Sequence, residues 1–161
     1  MTKLKVRDLM TTEVLTLRPE DTVKKAAKKL ALENVSGAPI VDNKNHLLGF
    51  VSENDILTVI MRYQDRLDKE NNGGSLLEYS MDNLTETDDR LSQASEEISN
   101  IEMSTIMVRS VMTTSPDAPI IEVLRTMLKM GINRIPVLEK GILVGIISRG
   151  DIIFSLYKKK V

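Results

Sequence analysis

The sequence contains no cysteine and no tryptophan, one histidine, and aromatic residues at only 3% of 161 positions. Without cysteine there is no disulfide framework, no Cys-ligated zinc and no thiol nucleophile. The lone His46 has no second imidazole with which to build a histidine-rich metal site or a triad with a local base, and it falls in a polar turn where a surface position is expected. No apolar run approaches the ~20 residues a membrane span needs. The opening MTKLKVRDLMTT has basic residues but no apolar stretch behind them, so it does not read as a secretory signal. These absences make the cytosol the expected compartment. Gly73-Gly74 is not followed by Gly-Lys-Ser/Thr, which excludes a phosphate loop there.

What is present is an ordinary globular balance, 42% hydrophobic and 28% charged, with a net charge of −1. The charge is unevenly spread. Between Asp65 and Glu102 there are eleven Asp or Glu against three Lys or Arg, a local −8 that leaves +7 for the rest. Such a stretch reads as a solvated helix or linker and argues against nucleic acid along the middle of the chain.

An internal repeat organises the remainder. Val6-Arg7-Asp8-Leu9-Met10-Thr11-Thr12 resembles Val108-Arg109-Ser110-Val111-Met112-Thr113-Thr114 at an offset of 102, but that alignment removes a strand from the second copy. An offset of 97 instead places Met10 on Met107, Val14 on Val111, Thr16 on Thr113, Pro19 on Pro116 and Pro39 on Pro136. One deletion near Asn45 shifts the offset to 96, which aligns Gly49 with Gly145, Ser52 with Ser148 and Asp55 with Asp151.

Each copy opens on an extended piece, Val14 to Leu17 or Val111 to Thr114, that ends at a proline turn. A helix follows, with Val23, Ala26, Ala27, Leu30 and Ala31 on the expected buried face, matched by Ile120, Val123, Leu124, Met127 and Leu128. Asp21 suits the N-cap of the first of these helices, and Pro119 suits the first turn of the second. A hairpin comes next, Ala38 to Val41 with Leu47 to Val51, or Ile135 to Leu138 with Ile142 to Ile147. Its continuous apolar runs suggest strands covered on both faces. A closing helix is lined by Ile56, Leu57 and Ile60, or by Ile152, Ile153 and Leu156. A unit of this size buries little core alone, so the two copies are expected to pack together.

The ordered series of a Met-Thr pair, V-x-T-x-x-P, an amphipathic helix, an apolar-Pro strand and a Gly strand ending in Ser-x-x-Asp resembles the CBS domain. Two in tandem resemble the CBS pair, or Bateman module. The hallmarks are Thr16, Pro19, Pro39, Gly49, Ser52 and Asp55, repeated as Thr113, Pro116, Pro136, Gly145, Ser148 and Asp151. The resemblance implies an α/β (α+β) fold of two β-α-β-β-α repeats packed through their sheets with pseudo-two-fold symmetry and a ligand cleft for each repeat. The repeats are placed at 4–66 and 101–160, with a largely helical acidic insertion at 67–100. It also implies a homodimer assembled through helices as a disk of four CBS units. The expected ligands are adenosine-containing: AMP, ADP, ATP or S-adenosylmethionine. Occupancy would be reported to a regulated protein, with no catalytic cofactor.

Each candidate ligand residue also has a plain structural role. A carboxylate at the start of a helix can accept from ribose hydroxyls, here Asp55 and Asp151, while Ser52 and Ser148 with helix-end amides favour phosphate. The same spacing is a capping-box variant. By the resemblance, Thr16, Leu17, Thr113 and Thr114 line the approach of adenine or phosphate, although as strand residues they need no further explanation. Ala38-Pro39 and Ile135-Pro136 resemble the pair that sandwiches the base, or are core. Where the second copy has Asn133-Arg134, the first has Ser36-Gly37. A cation at that position reaches ligand phosphates in the family, and Arg149 either adds another or is simply exposed. The second repeat is therefore the preferred nucleotide site.

Within the insertion, Leu76 to Leu84 could form a short helix. Thr87 to Met103 has helical spacing at Leu91, Ala94, Ile98 and Ile101, expected to cover its own module. The leading reading is a regulatory sensor of an adenine nucleotide, not an enzyme. The alternative is a protein–protein interaction module whose clefts do not bind.

Overall fold

The computed structural model describes residues 3–70, 74–78 and 89–157. In order, these form α1 (Val6–Leu9), α2 (Val23–Glu33), β1 (Gly37–Val41), β2 (Leu47–Ser52), α3 (Glu53–Lys69), a 3-10 turn at Leu76–Glu78, α4 (Asp89–Ser99), α5 (Met103–Ile106), α6 (Ile120–Met130), β3 (Arg134–Glu139), β4 (Ile142–Ser148) and α7 (Arg149–Tyr157). The strands make two separate two-stranded sheets, β1 with β2 and β3 with β4. Expected structure at Tyr79 to Leu84 and at Thr87 and Asp88 lies outside the described residues.

The opening strand of each repeat is reduced to one parallel rung, Leu17 to Ile40 and Thr114 to Val137. The Thr114 amide donates to the Pro136 carbonyl at 3.0 Å and the Thr114 carbonyl accepts from Leu138 at 2.8 Å. The next rung back would need an N–H from Pro136, which has none, and Pro39 stops the other copy in the same way.

The compact units do not follow the order of the repeats. One holds the described residues of 1–16, 41–49 and 109–161, the other those of 17–40 and 50–108. In the first, α1 and its flanks dock on the second repeat. Val6 and Arg7 amides donate to Ala118 and Pro116, each at 2.9 Å, Ile120 donates to Leu4 at 3.0 Å, and Thr11 exchanges two 2.9 Å bonds with Ile146. In the other unit, Met103 and Ser104 donate to Asp21 and Pro19 at 2.8 and 2.9 Å, Val23 donates to Ile101 at 2.8 Å, and Val108 exchanges two 2.9 Å bonds with Phe50. Each bond of one set is the other displaced by 97 (96 after the hairpin), so the backbone keeps that register and not 102.

The core of the first unit is Val6, Ile120, Val123, Met127, Ile135, Val137, Ile147 and Ile152. Here the tip of the first hairpin also meets the second: the Asn45 side chain donates to the Leu143 carbonyl at 2.7 Å and the Leu47 amide to Gly141 at 3.3 Å. His46 is accordingly half-buried rather than a plain surface residue, with Nδ1 3.1 Å from Asp42 Oδ2. Bonds from the His46 and Lys44 amides, with the nearby His46 ring, hold the Asp42 carboxyl below the usual carboxylate range.

In the other unit α4 packs on α2 and α3, burying Leu91, Ala94, Ser95 and Ile98. The α4 part of the insertion therefore covers helices of the first repeat, as expected. The acidic side chains Glu96 and Glu97 stay exposed.

Helix faces are narrower than the sequence pattern suggests. Val23, Ala26 and Leu30 are buried, as are Ile120, Val123 and Met127, but Ala27, Ala31, Leu128, Leu57, Ile153 and Leu156 are exposed. A helix laid on one small sheet needs one stripe, and among the described residues the second apolar stripe is left exposed. β2 and β4 likewise alternate buried with half-buried positions instead of being covered on both faces, while β1 is buried throughout.

Asp21 is not the N-cap. Thr22 caps α2, accepting from the Lys25 amide at 3.2 Å. Asp21 is instead buried, accepting from the Arg18 amide at 2.8 Å and pairing with Lys25 Nζ at 3.0 Å. Burial pushes its carboxyl up, but the Arg18 bond and the Lys25 and Lys29 charges outweigh this and leave its pKa below the ordinary value. A lowered folded pKa stabilises the fold above the unfolded value near 4. Asp21→Asn should therefore lose stability at neutral pH, and its deficit against the parent should shrink as pH falls through the folded pKa of Asp21, read by urea unfolding across pH. A second test concerns β4. A Cβ on Gly145 would lie 2.9 Å from both the Thr11 carbonyl oxygen and Met10 Sδ, whereas one on Gly150 meets Ser148 Oγ at 3.6 Å. Gly145→Ala should cost about 1–3 kcal/mol in denaturant unfolding, and Gly150→Ala should be neutral or stabilising by up to about 1 kcal/mol.

Candidate functional site

The preferred residues of the second repeat lie within one compact unit. The Thr114 rung sets Thr113 and Thr114 beside β3, and Val123 and Thr126 approach from α6. Thr113, Thr114 and Ile135 line a cavity of about 130 Å³ together with Met112, Ala118, Glu122, Val123 and Thr126. A cavity of roughly 150 Å³ holds a benzene ring, and whole ligand sites run to about 300 Å³ or more. At about 130 Å³ the pocket is smaller than either, so it would take in only part of a ligand, such as the edge of a ring, and leave the rest outside.

Glu122 and Thr126 were not singled out from sequence. They stand one helical turn apart on α6, with Thr126 Oγ1 donating to the Glu122 carbonyl at 3.1 Å. Their i, i+4 spacing was readable. What it faces depends on the rung at Thr114, which no local pattern reveals.

The start of α7 is the second part of the site. The Ser148 amide donates to Asp151 Oδ2 at 2.9 Å and the Asp151 amide to Ser148 Oγ at 3.1 Å. At α3 the matching bonds are 2.8 Å from Ser52 to Asp55 Oδ2 and 3.3 Å from Asp55 to Ser52 Oγ, with Ser52 Oγ also 3.0 Å from Oδ2. The capping role is therefore present in both repeats. It occupies one carboxylate oxygen, and a carboxylate has about four lone-pair sites, so further acceptor capacity remains for hydroxyl donors.

Arg134 faces Ser148 across the β3–β4 ladder and is half-buried. Its counterpart Gly37 has no room for a side chain: a Cβ there would lie 2.7 Å from the Phe50 ring and 2.8 Å from the Val51 carbonyl oxygen. The first repeat thus cannot carry a cation at this position unless both Phe50 and the Val51 backbone move. Arg149 does not project as an exposed second cation. Its Nε donates to the Ile132 carbonyl at 3.0 Å and its Nη2 to Met127 at 3.1 Å, closing the C-terminal end of α6. The carbonyl of Asn133 accepts from the Arg149 amide at 2.9 Å, as that of Ser36 accepts from Glu53 at 2.8 Å.

Leu17 and Ala38 are fully buried, and Pro39, Ile135 and Pro136 are also inside. Their side chains serve the core. Thr16 is half-buried and falls in the other unit from Leu17. Among the described residues no group of His, Cys, Asp or Glu could hold a metal ion, and no helix is long and apolar enough to cross a membrane.

Two hairpin-and-helix repeats, each closing on a serine–aspartate box, define a duplicated α/β module. The family model for the CBS domain matches residues 6–62 and 103–158, so the chain belongs to the CBS-domain family as a tandem pair. The protein MJ1225 of Methanocaldococcus jannaschii is 27% identical over 148 residues, covering 92% of this chain but 41% of that protein, so this chain spans less than half its relative. Among solved structures, CBSX2 in complex with AMP has a TM-score of 0.69 at 22% identity, covering 95% of this chain and 96% of that one. The CBS domain pair of protein MJ0100, in complex with 5′-methylthioadenosine and S-adenosyl-L-methionine, has a TM-score of 0.65 at 23% identity, covering 98% and 100%. At these identities the two structures speak to the fold.

The box is testable without a ligand. Ser148→Ala removes the acceptor for the Asp151 amide and should lower stability by about 1 kcal/mol in urea unfolding.

Proposed function

We propose that this chain is a regulatory module, working in the cytosol, that binds an adenosine-containing ligand through its second repeat and passes occupancy to a partner protein. The observation that carries the reading is the small cavity lined by Thr113, Thr114 and Ile135, in the same unit as Arg134, Ser148 and Asp151. The cavity suits the edge of an adenine ring. The spare acceptor capacity of Asp151 suits ribose hydroxyls, and Arg134 with the α7 amides suits phosphate. The binding of AMP, 5′-methylthioadenosine and S-adenosyl-L-methionine by folds of this kind supports the ligand class. AMP, ADP, ATP and S-adenosylmethionine are the candidates. The first repeat, closed to a cation at Gly37, contributes no phosphate site.

A regulatory role requires that the ligand bind two conformations with unequal affinity, since equal binding shifts no equilibrium. The tandem CBS fold supports regulation over catalysis. Isothermal titration with AMP, ADP, ATP and S-adenosylmethionine tests the reading. One ligand should bind at one site per chain, and Asp151→Ala should weaken it about 10- to 100-fold, the worth of a hydrogen bond to a charged group. Asp55→Ala should leave that affinity unchanged. Absence of binding by the folded protein would favour an interaction module whose clefts do not bind.

A further inference from the structure

α3 runs for 17 residues and packs on α4 of the insertion. Between the two helices lies a cavity of about 250 Å³, in the other compact unit from Thr113, Arg134 and Asp151. Its floor is apolar, formed by the buried Leu67 and Ala94. Its rim is charged, with Arg66 and Glu70 on the α3 side and Arg90 and Glu97 on the α4 side. Two cations and two anions leave that rim with no net charge. α4 lies between the repeats and is not duplicated, so neither the cavity nor its charges follow from the repeat.

The rim charges are only half matched. Arg90 Nη1 lies 2.6 Å from Glu70 Oε2, an ion pair at the end of α3 and the start of α4. This contact sets the helices antiparallel, so Tyr63 and Arg66, about one to two turns earlier on α3, lie toward Glu97, about two turns later on α4. The Arg66 guanidinium stacks 4.8 Å from the centroid of the half-buried Tyr63 ring, and among the described residues it has no carboxylate partner. Glu97 accepts one long bond, 3.4 Å, from Gln93 Nε2, and keeps most of its acceptor capacity. An arginine laid on an aromatic face is pre-oriented, and its fork of donors matches a carboxylate. The cavity therefore offers one open positive pole and one open negative pole above an apolar floor.

We propose that this cavity binds a zwitterionic α-amino acid with an apolar side chain. Arg66 takes the carboxylate, Glu97 takes the ammonium, and the side chain rests on Leu67 and Ala94. Size agrees with this class. A cavity of roughly 150 Å³ holds a benzene ring and drug-sized ligands need about 300 Å³ or more, so the space suits a molecule of about ten non-hydrogen atoms and excludes a whole nucleotide. Charge selects within that size. A simple anion drawn to the arginines also meets Glu70 and Glu97, and a simple cation meets the reverse. A zwitterion is attracted at both ends.

Titration of the isotope-labelled full chain with L-leucine, followed by NMR, tests the site. It contains no nucleotide, so its outcome is independent of the sensor reading. Amide shifts in α3 and α4 should saturate with one molecule per chain below about 10 mM. Arg66→Gln and Glu97→Gln should each raise the dissociation constant about 10-fold or more, the worth of a hydrogen bond to a charged group. Urea midpoints and the spectrum away from the cavity check that both variants keep the fold. Isoamylamine, which lacks the carboxylate, and isocaproate, which lacks the ammonium, should each bind at least about 10-fold more weakly than L-leucine. No saturation by L-leucine in the folded parent would overturn the proposal. So would an affinity untouched by either substitution, or equal binding of either one-ended analogue.

Discussion

The fold depends on the docking of two short segments, each at the start of one repeat and hydrogen-bonded to the other. Residues 4–11 bond to Pro116, Ala118, Ile120 and Ile146, and residues 101–108 bond to Pro19, Asp21, Val23 and Phe50. Each segment brings a fully buried side chain, Val6 or Met103. Burying such a side chain is worth about 1.5–3 kcal/mol, a large contribution to a unit of this size, whose own core is marginal. Gly145 shows how tight the fit is, since the Thr11 carbonyl oxygen stands where a Cβ would go. The compact units are therefore assembled from both halves of the chain, and neither repeat is complete on its own stretch of sequence.

The candidate site inherits this arrangement. Its cavity opens where Thr114 makes the single rung that proline permits, and its polar part is the box that starts α7. Structure and binding share the same atoms there: one oxygen of Asp151 holds the helix start, and its remaining acceptor capacity is what the proposed function uses. Arg149, which in sequence could be taken for a second phosphate contact, closes α6 instead. In the proposed function the cation of the site is therefore Arg134.

Around a common frame the two repeats have diverged in physical character. The first has a buried carboxylate at Asp21 paired with Lys25, where the second has Ala118 and Glu122. It carries Phe50 over Gly37 and the insertion helix on its α2 and α3. The second keeps the arginine, the cavity and the open apolar helices. On α4, Glu96 and Glu97 are exposed while Leu91, Ala94 and Ile98 are turned inward.

Sequence alone determined the repeat, its 97-residue register, the order of the longer helices and the hairpins (though not the short helices α1 and α5), the family, and the Ser-x-x-Asp helix starts. All of these rest on local spacing: periodicity, proline and glycine positions, and caps act over a few residues and can be read along the chain. Tertiary structure decided the rest. The extended pieces became single rungs because of the proline on a neighbouring strand, and Asp21 left the cap to Thr22 because Arg18 and Lys25 close around it. The second apolar stripes stayed outside because one small sheet covers only one face of a helix. Glu122 and Thr126 joined the cavity, and Arg149 left the expected phosphate side, through contacts between distant segments. Such contacts depend on which surfaces meet, and no spacing along a single stretch of chain encodes that.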